Sequence, residues 1–293
     1  MWRGHKTNYV SAGCGQPVVL VHGFGASVGH YRKNIEVLAK HYKVYAVDLL
    51  GFGASDKAVV EYSMELWRDQ VLDFMKEFVQ TPAVVVGNSI GGLTTLMAAA
   101  EGPNSVKGVV LLNCAVGMNS KAAIDDWRIV VIYPLLFLID LLLKSSLARW
   151  LFDKYRSKEN IRNIVSKVYR NQEAVDDALV DLLYRPSCDP GAVDVFVSVL
   201  TGQPGPRPWE VAPRVSAPLL ILWGDSDPFT PVDGPTGQFF QSLPKTRSET
   251  VFQLLEDVGH CPHDDRPDQV HKYLLPWLES VYSQDASKCQ ANA

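Results

Sequence analysis

Several signatures of common protein classes are missing from this sequence of 293 residues. Its five cysteines are odd in number and widely spread without a Cys-x-x-Cys pair, so the sequence indicates neither a disulfide framework nor a zinc site. A reducing compartment fits this pattern best. Lysine and arginine (28) nearly balance aspartate and glutamate (32) and form no long basic run, which argues against nucleic acid as a partner.

Long apolar segments and targeting signals are also missing. The most apolar run, IVVIYPLLFLIDLLL from Ile129 to Leu143, is shorter than the roughly 20 residues of a spanning helix, and it is interrupted by Pro134 and Asp140. The residues after Met1 are polar, so we expect neither a secretory signal nor a transit peptide in this chain.

Patterns of buried strands and of helices alternate through the first part of the chain. Helical spacing lies between the strand-like runs, with Ser63 as an expected helix start. Such an alternation predicts an α/β fold with a mostly parallel, doubly wound sheet. The runs that are apolar on both faces, as in parallel strands between helix layers, occur at 17–23, 43–48, 83–88 and 106–113. The strand pattern resumes later in the chain, at 217–225 and 249–257.

The strand pattern lapses from about Gly117 to Ser216, where helical spacing dominates. We therefore predict an α/β core in two parts, residues 1–116 and 217–293, with residues 117–216 inserted as a helical cap. Such a cap would cover the carboxyl ends of the strands, where ligands bind in this kind of sheet. The polar end of the chain, SQDASKCQANA, is predicted to be disordered.

A single serine follows the third buried run. Gly87-Asn88-Ser89-Ile90-Gly91 has the pattern G-x-S-x-G between a predicted strand and a predicted helix, which is typical of a nucleophile elbow. Gly87 and Gly91 remove side chains that would collide in such a tight turn. The alternative is a glycine-rich turn with an incidental serine, and the flanking strand and helix favour the elbow.

A serine hydroxyl is a weak nucleophile without a base, so an acid and a histidine should follow Ser89 in that order. We select Asp227 as the acid over Asp225, because the position beyond the turn is freer to reach the histidine. His260 is selected as the base over His263. For His263 we expect a loop role with hydrogen bonds to Asp264, Asp265 or Arg266. A metal site in HCPHDD is the weaker alternative, since no second cluster of metal ligands is present.

The loop VHGFGAS, after the first buried run, is expected to complete the site. Gly23 and Gly25 give it flexibility, and the backbone N–H groups of Phe24 and Ile90 are the expected donors of an oxyanion hole. His22 is interpreted as a structural hydrogen-bonding residue. Nothing in the sequence requires a metal ion or an organic cofactor, so we predict none.

Together these segments resemble the α/β-hydrolase superfamily, with the cap inserted after LLNCAVGMNS. More narrowly, they are similar to segments of the chlorophyll dephytylases of plants and algae, which are relatives of pheophytinase. The similarity runs from about Trp2 to Glu279. The segments that carry it are VHGFGAS, YAVDLLGFGASDK, GNSIGG, WGDSDPFTP, LLNCAVGMN and VGHCPHDDRPDQVHKYLLPWL.

This resemblance implies a serine esterase that removes the phytyl chain from chlorophyll, giving chlorophyllide and phytol through an acyl-enzyme. Ser89, His260 and Asp227 would form its catalytic triad. The resemblance also implies a chloroplast location, a chlorophyll-like apolar ester as substrate and peripheral contact with the thylakoid membrane.

Several alternatives remain open. The substrate could be another apolar ester, such as pheophytin or a lipid, and the same triad also serves C–C bond hydrolases. A weakly catalytic receptor for an apolar ligand would keep the same motifs. The run Ile129–Leu143, with Trp127, Phe137 and Trp150, would line the pocket, rest on a membrane or simply pack as an amphipathic cap helix.

Overall fold

The computed structural model describes residues 1–123, 150, 152–154 and 156–291. Within these ranges, no helix has both the length and the apolar character needed to cross a membrane. The apolar run Ile129–Leu143, together with Trp127 and Phe137, lies outside the described residues. The proposals for that segment therefore stay predictions.

A single seven-stranded sheet forms the centre of the molecule, with the strand order β1-β3-β2-β4-β5-β6-β7. All neighbours in the sheet are parallel except β1 and β3, which are antiparallel. The mostly parallel sheet of the predicted α/β fold is thereby confirmed. The strands are β1 (Tyr9–Ala12), β2 (Pro17–Val21), β3 (Lys43–Val47), β4 (Ala83–Asn88), β5 (Val106–Leu112), β6 (Leu219–Gly224) and β7 (Thr250–Leu255).

Strand β1 was not predicted from the sequence. It pairs with β3 at the edge of the sheet, from Tyr9 opposite Val47 to Ala12 opposite Val44, and three of its four residues are exposed. Because it buries little apolar surface, it lacks the continuous apolar run by which the other strands were recognised. Its partner on the sheet, more than its own sequence, determines its conformation.

Helices cover both faces of the sheet. Alternate residues of the central strands enter two separate apolar clusters, so that Val19 and Val21 face one helix layer while Val18 and Leu20 face the other. Ser63 caps α2 by accepting a hydrogen bond from the N–H of Leu66, as expected for a helix start. The core helices are α1 (Ile35–Leu38), α2 (Met64–Phe74) and α3 (Ile90–Glu101).

The described residues between β5 and β6 form helices and no strand. These helices are α4 (Lys158–Val168), α5 (Asp177–Ser187), α6 (Ala192–Thr201) and α7 (Pro208–Val211). Helix α7 already belongs to the main core, because Val211 is buried in the same cluster as the sheet residues. The exact limits of the cap, 117–216, remain a prediction.

The chain after β6 forms β7 at the edge of the sheet, and its last helix packs against one face of the sheet. Its helices are α8 (Pro235–Ser242), α9 (Pro262–Asp265) and α10 (Pro267–Ala291). Helix α10 includes most of the polar tail that the sequence predicts to be disordered. The tail contains three alanines, two glutamines and a lysine, which continue an existing helix at little cost in free energy.

Candidate active site

Ser89 lies at the sharp turn between β4 and α3. Its backbone has φ 55° and ψ −123°, a conformation that residues with side chains rarely adopt. The turn is closely packed, because a Cβ atom on Gly87 would clash with the carbonyl of Gly91, and one on Gly91 would clash with the carbonyl of His22. The two glycines of the G-x-S-x-G pattern are therefore required by contacts within the turn.

The predicted acid and base are in direct contact. Nδ1 of His260 lies 2.7 Å from Oδ2 of Asp227, and both residues are buried. A carboxylate only accepts, so Nδ1 carries the proton and Nε2 is left to accept one. The structure thus brings Asp227 and His260 together, from the loops that follow β6 and β7.

Asp227 is held by donors on both carboxylate oxygens. Oδ1 accepts from the N–H groups of Phe229 and Thr230, and Oδ2 accepts from the Thr230 hydroxyl and from Nδ2 of Asn113 as well as from His260. Burial alone would raise the pKa of Asp227, but the charge of His260 and these hydrogen bonds outweigh it and lower the pKa from 3.8 to about 2. The carboxylate therefore stays ionised.

Asn113 and Thr230 escaped the sequence reasoning, although a signal for Asn113 exists. It is a polar residue directly after a buried strand, at the edge of the sheet where the predicted acid emerges from the neighbouring strand. Asp225, the acid that was set aside, accepts from the Ser226 hydroxyl and from the N–H of Val258 in the loop after β7.

The loop that carries His260 is joined to the elbow and to the cap. Nδ2 of Asn88, the residue before Ser89, donates to the carbonyl of His260 at 3.0 Å. On the other side, the N–H of His260 donates to the carbonyl of Val168 at the end of α4, at 3.2 Å. The position of the base is thus set by contacts from both the core and the helical insertion.

Asp265 extends this connection between the histidine loop and the cap. Its buried carboxylate accepts from the N–H of Gly259 at 2.7 Å and from the N–H groups of Arg170 and Asn171 at 3.1 and 2.8 Å. One side chain therefore joins the residue before His260 to the segment that follows α4. We refer to residues 168–171 as the cap strap.

His263 does not have the role that the sequence suggested. Both of its ring nitrogens are buried without a hydrogen-bond partner among the described residues, so the expected bonds to Asp264, Asp265 or Arg266 are wrong. The ring instead packs against His30 and Tyr31, with centroids 4.6 Å away in each case. Asp264 is engaged elsewhere, by Arg32 at 2.9 Å.

The loop after β2 lies against the elbow. A Cβ atom on Gly23 would come within 3.2 Å of Cβ of Ser89, so Phe24 follows at a short distance from the serine. Ile90 is the first residue of α3, where backbone N–H groups have no partner within the helix. His22 is buried and accepts from the N–H of Leu49 at 3.0 Å, while its Nδ1 lies 2.7 Å from the carbonyl of Gly23.

Aromatic rings border this loop on the cap side. The Phe24 ring is 38% exposed and lies 5.5 Å from the ring of Phe52 and 5.7 Å from that of Phe196 on α6. Phe196 in turn contacts Phe152, at 5.2 Å. Phe229, which is 63% exposed, packs perpendicular to the His260 ring, with the ring centroids 5.1 Å apart. The approach to the proposed oxyanion donors is therefore apolar.

A metal centre finds no support in the described part of the chain. No group of three or more histidine, cysteine, aspartate or glutamate side chains there could hold an ion. In the HCPHDD segment, His260, Asp264 and Asp265 are each committed to protein partners.

Comparison with known families decides the relationship. The model of a family described as the alpha/beta hydrolase family matches residues 18–272, which include the elbow, Asp227 and His260. This chain belongs to that family. The hydrolase shares with it the mostly parallel sheet and the helices on both faces.

Among curated relatives, the hydrolase is 26% identical to "Pheophytinase, chloroplastic" of Arabidopsis thaliana over 95% of its own length and 65% of that protein's length. It thus spans about two thirds of this relative. It is also 29% identical to a 2-hydroxy-6-oxo-6-(2'-aminophenyl)hexa-2,4-dienoic acid hydrolase of Metapseudomonas resinovorans, over 94% of this chain and 88% of that one.

Solved structures include a serine hydrolase involved in carbazole degradation, the CarC enzyme. It superposes on the hydrolase with a TM-score of 0.73 at 25% identity, over 94% of this chain and 95% of the other. The relatives therefore include a pheophytinase as well as hydrolases named for dienoic acids and for carbazole degradation.

Proposed function

We propose that this hydrolase is a serine carboxylic-ester hydrolase with Ser89 as nucleophile, His260 as base and Asp227 as acid. The observation that carries the proposal is the strained backbone of Ser89 at the β4–α3 turn, beside a histidine loop whose imidazole is bound to a buried carboxylate. Backbone strain of this kind collects at functional sites, and here it directs a hydroxyl outward from the end of a strand.

Each group has one task in this mechanism. Nε2 of His260 takes the proton as the Ser89 hydroxyl attacks the ester carbonyl, and the imidazolium returns that proton to the leaving alcohol. Asp227 orients the ring and stabilises its charged form. The N–H groups of Phe24 and Ile90 donate to the negative oxygen of the tetrahedral intermediate. Water then attacks the acyl-enzyme by the same route in reverse.

The proposed substrate is the phytyl ester of chlorophyll, cleaved to chlorophyllide and phytol. Two observations support this choice, namely the similarity to a pheophytinase and the aromatic surface beside the oxyanion loop. A phytyl chain gains about 0.8 kcal/mol for each methylene that leaves water, so an apolar approach favours it strongly. Polar or carboxylate-bearing substrates gain nothing comparable there.

Pigment chromatography tests this proposal. Purified protein and its Ser89→Ala variant are incubated with chlorophyll and with pheophytin in mild detergent, and chlorophyllide, pheophorbide and phytol are quantified. We expect dephytylated pigment from the wild type alone. If the wild type cleaves small p-nitrophenyl esters or lipid esters but neither pigment, the serine mechanism stands and the pigment substrate is wrong.

A C–C bond hydrolase is the second candidate, because the relatives include a dienoic acid hydrolase and the carbazole-degrading CarC enzyme. Incubation with a vinylogous 1,5-diketone acid of the meta-cleavage type, followed by loss of its visible absorbance, tests this reaction. Rapid decay with this substrate and none with any ester would replace the esterase. A receptor, by contrast, would bind an apolar ligand without turning over any of these substrates.

The proposal includes a chloroplast location and peripheral contact with the thylakoid membrane. The pheophytinase relative is named chloroplastic, and chlorophyll is held in thylakoids, so an enzyme acting on it must reach that surface. Cosedimentation with vesicles of thylakoid galactolipids tests the contact directly. Protein that stays in the supernatant at every lipid concentration would contradict it.

A further inference from the structure

Asn113 lies directly after β5 and contacts the acid of the proposed triad. Its Nδ2 donates to Oδ2 of Asp227 at 2.7 Å, and its Oδ1 accepts from the N–H of Gly224 at 3.0 Å. A backbone N–H can only donate, so Gly224 fixes the orientation of the amide and turns its NH₂ group toward Asp227. The side chain is fully buried, where each of these bonds is protected from water.

The backbone at Asn113 is strained in the same sense as that at Ser89. Its φ is 44°, in the left-handed region, which asparagine tolerates better than most residues with side chains. Its N–H still donates to the carbonyl of Leu222 at 3.3 Å, so the residue stays joined to β6 while its side chain turns to the acid. The strain is compensated by the contact that this orientation makes possible.

The other donors to Asp227 do not provide this connection. Phe229 and Thr230 belong to the same loop as the acid and move with it, whereas Asn113 comes from the neighbouring strand. We propose that Asn113 is a positioning residue that fixes the Asp227 carboxylate relative to the sheet and thereby sets the orientation of His260. This inference rests on the serine mechanism proposed above.

Two substitutions separate positioning from simple packing. Asn113→Leu removes both hydrogen bonds at similar volume, and Asn113→Asp keeps the acceptor for Gly224 but places a second carboxylate beside Asp227. We expect Asn113→Leu to lower kcat/KM for a p-nitrophenyl ester by roughly ten- to hundredfold, mainly through kcat. This is well below the roughly 10⁴-fold loss that follows removal of a triad acid's function.

The pH profile provides the readout that a purely structural role would not move. In Asn113→Asp the two neighbouring carboxyl groups share one proton, and the second negative charge that forms when this proton leaves stabilises the imidazolium form of His260. The acid limb of the kcat/KM profile should therefore extend to higher pH. Asn113→Leu adds no charge and should lower the whole profile without such a move. The pH of the acid limb therefore distinguishes the two variants even if both are less stable than the wild type.

Asn34 provides a matched control. It is a buried asparagine with the same two-ended bonding, from Nδ2 to the carbonyl of His263 at 2.7 Å and from Nε2 of His271 to Oδ1 at 3.1 Å, and it has no bond to Asp227. Asn34→Leu should lower the melting temperature but leave kcat and the pH profile of the folded protein unchanged. Equal kinetic effects of the two leucine variants would overturn the proposal.

A measurement without turnover keeps this inference separate from the ester mechanism. The proton on Nδ1 of His260, bound to Asp227, gives a downfield resonance in proton NMR that is absent from His260→Ala. We expect it to shift or broaden in both Asn113 variants and to stay in place in Asn34→Leu. If this resonance is unchanged in the Asn113 variants, the proposed positioning role of Asn113 is wrong, whatever reaction the protein catalyses.

Discussion

Ser89 adopts a backbone conformation that a Cβ atom makes costly. At φ 55° and ψ −123° the backbone strain of a residue with a side chain is about 1–3 kcal/mol. Glycine relieves this strain, and its greater conformational freedom in the unfolded chain offsets only part of the gain in stability. We therefore expect the Ser89→Gly variant to be more stable than the Ser89→Ala variant, by about 1 kcal/mol in the free energy of unfolding measured in urea. Both lack the hydroxyl, so only strain distinguishes them. An alanine variant as stable as the glycine variant would show that the turn carries no strain.

The Phe24 ring is the residue-scale test of an apolar substrate. Phe24→Ala keeps the backbone N–H and removes the ring that meets Phe196, so it should raise KM for long-chain esters several-fold more than KM for acetate esters. Phe78 is the matched control, because it is 39% exposed against 38% for Phe24 and lies against Tyr9 on β1, the edge strand of the sheet. If Phe78→Ala changes the chain-length preference equally, the ring contact at Phe24 has no special role.

At the scale of elements, the close packing of the elbow against β2 depends on Gly91. A methyl group there would collide with the carbonyls of Val21 and His22, whereas one at Gly92 would meet its nearest neighbour at 3.2 Å. We expect Gly91→Ala to lower the free energy of unfolding by about 3 kcal/mol or more, and Gly92→Ala to lower it clearly less. Thermal unfolding of both variants measures this. A larger loss of stability in Gly92→Ala than in Gly91→Ala would mean that the elbow is not closely packed against β2.

The contact between the cap strap and the histidine loop makes a second prediction at this scale. Asp265→Asn replaces a buried carboxylate that accepts three backbone N–H groups by an amide with a single acceptor, which should cost about 2–4 kcal/mol of stability. Because Gly259 precedes His260, kcat should fall as well. Asp268→Asn, at the exposed start of α10, should change neither quantity. Wild-type activity in Asp265→Asn would show that the base is positioned without the strap.

Some of these elements follow from the sequence and others do not. Strands β2 to β7 were predictable because each contains a run of apolar residues, which burial between helix layers requires in β2, β4 and β6. Ser89 was predictable because its turn requires glycines at fixed spacing. Strand β1, the contact of Asn113 with Asp227 and the contact of Asp265 with the cap strap were not predicted, since each depends on residues far apart in the chain. His263 was misjudged for the same reason, because its neighbours His30 and Tyr31 are more than two hundred residues away in sequence.

At the scale of the whole molecule, buried neutral histidines should make stability depend on pH. Burial lowers the pKa of His30 from 6.5 to about 4, and Nε2 of this residue is bound to the Tyr169 hydroxyl of the strap. As pH falls from 6.5 to 4, the unfolded chain takes up the proton before the folded protein does. The free energy of unfolding therefore decreases over that range, by roughly 3 kcal/mol for this residue. The full contribution is present at pH 7.

Unfolding in urea between pH 4 and 7 checks this dependence. In His30→Gln, which keeps a hydrogen-bonding group for Tyr169 but does not titrate, the loss of stability over this range should be clearly smaller. His41→Gln, at an exposed position, should show the wild-type dependence. If all three proteins lose stability in parallel, His30 is not held neutral by burial.

The central claim is that Ser89 is the nucleophile of a triad with His260 and Asp227. Mass spectrometry of protein quenched in acid during turnover of a slow p-nitrophenyl ester tests it most directly. We predict a mass increase equal to the acyl group, mapped to the peptide that contains Ser89 and absent from Ser89→Ala. An unmodified Ser89 peptide, together with ester turnover that persists in Ser89→Ala, would contradict the account.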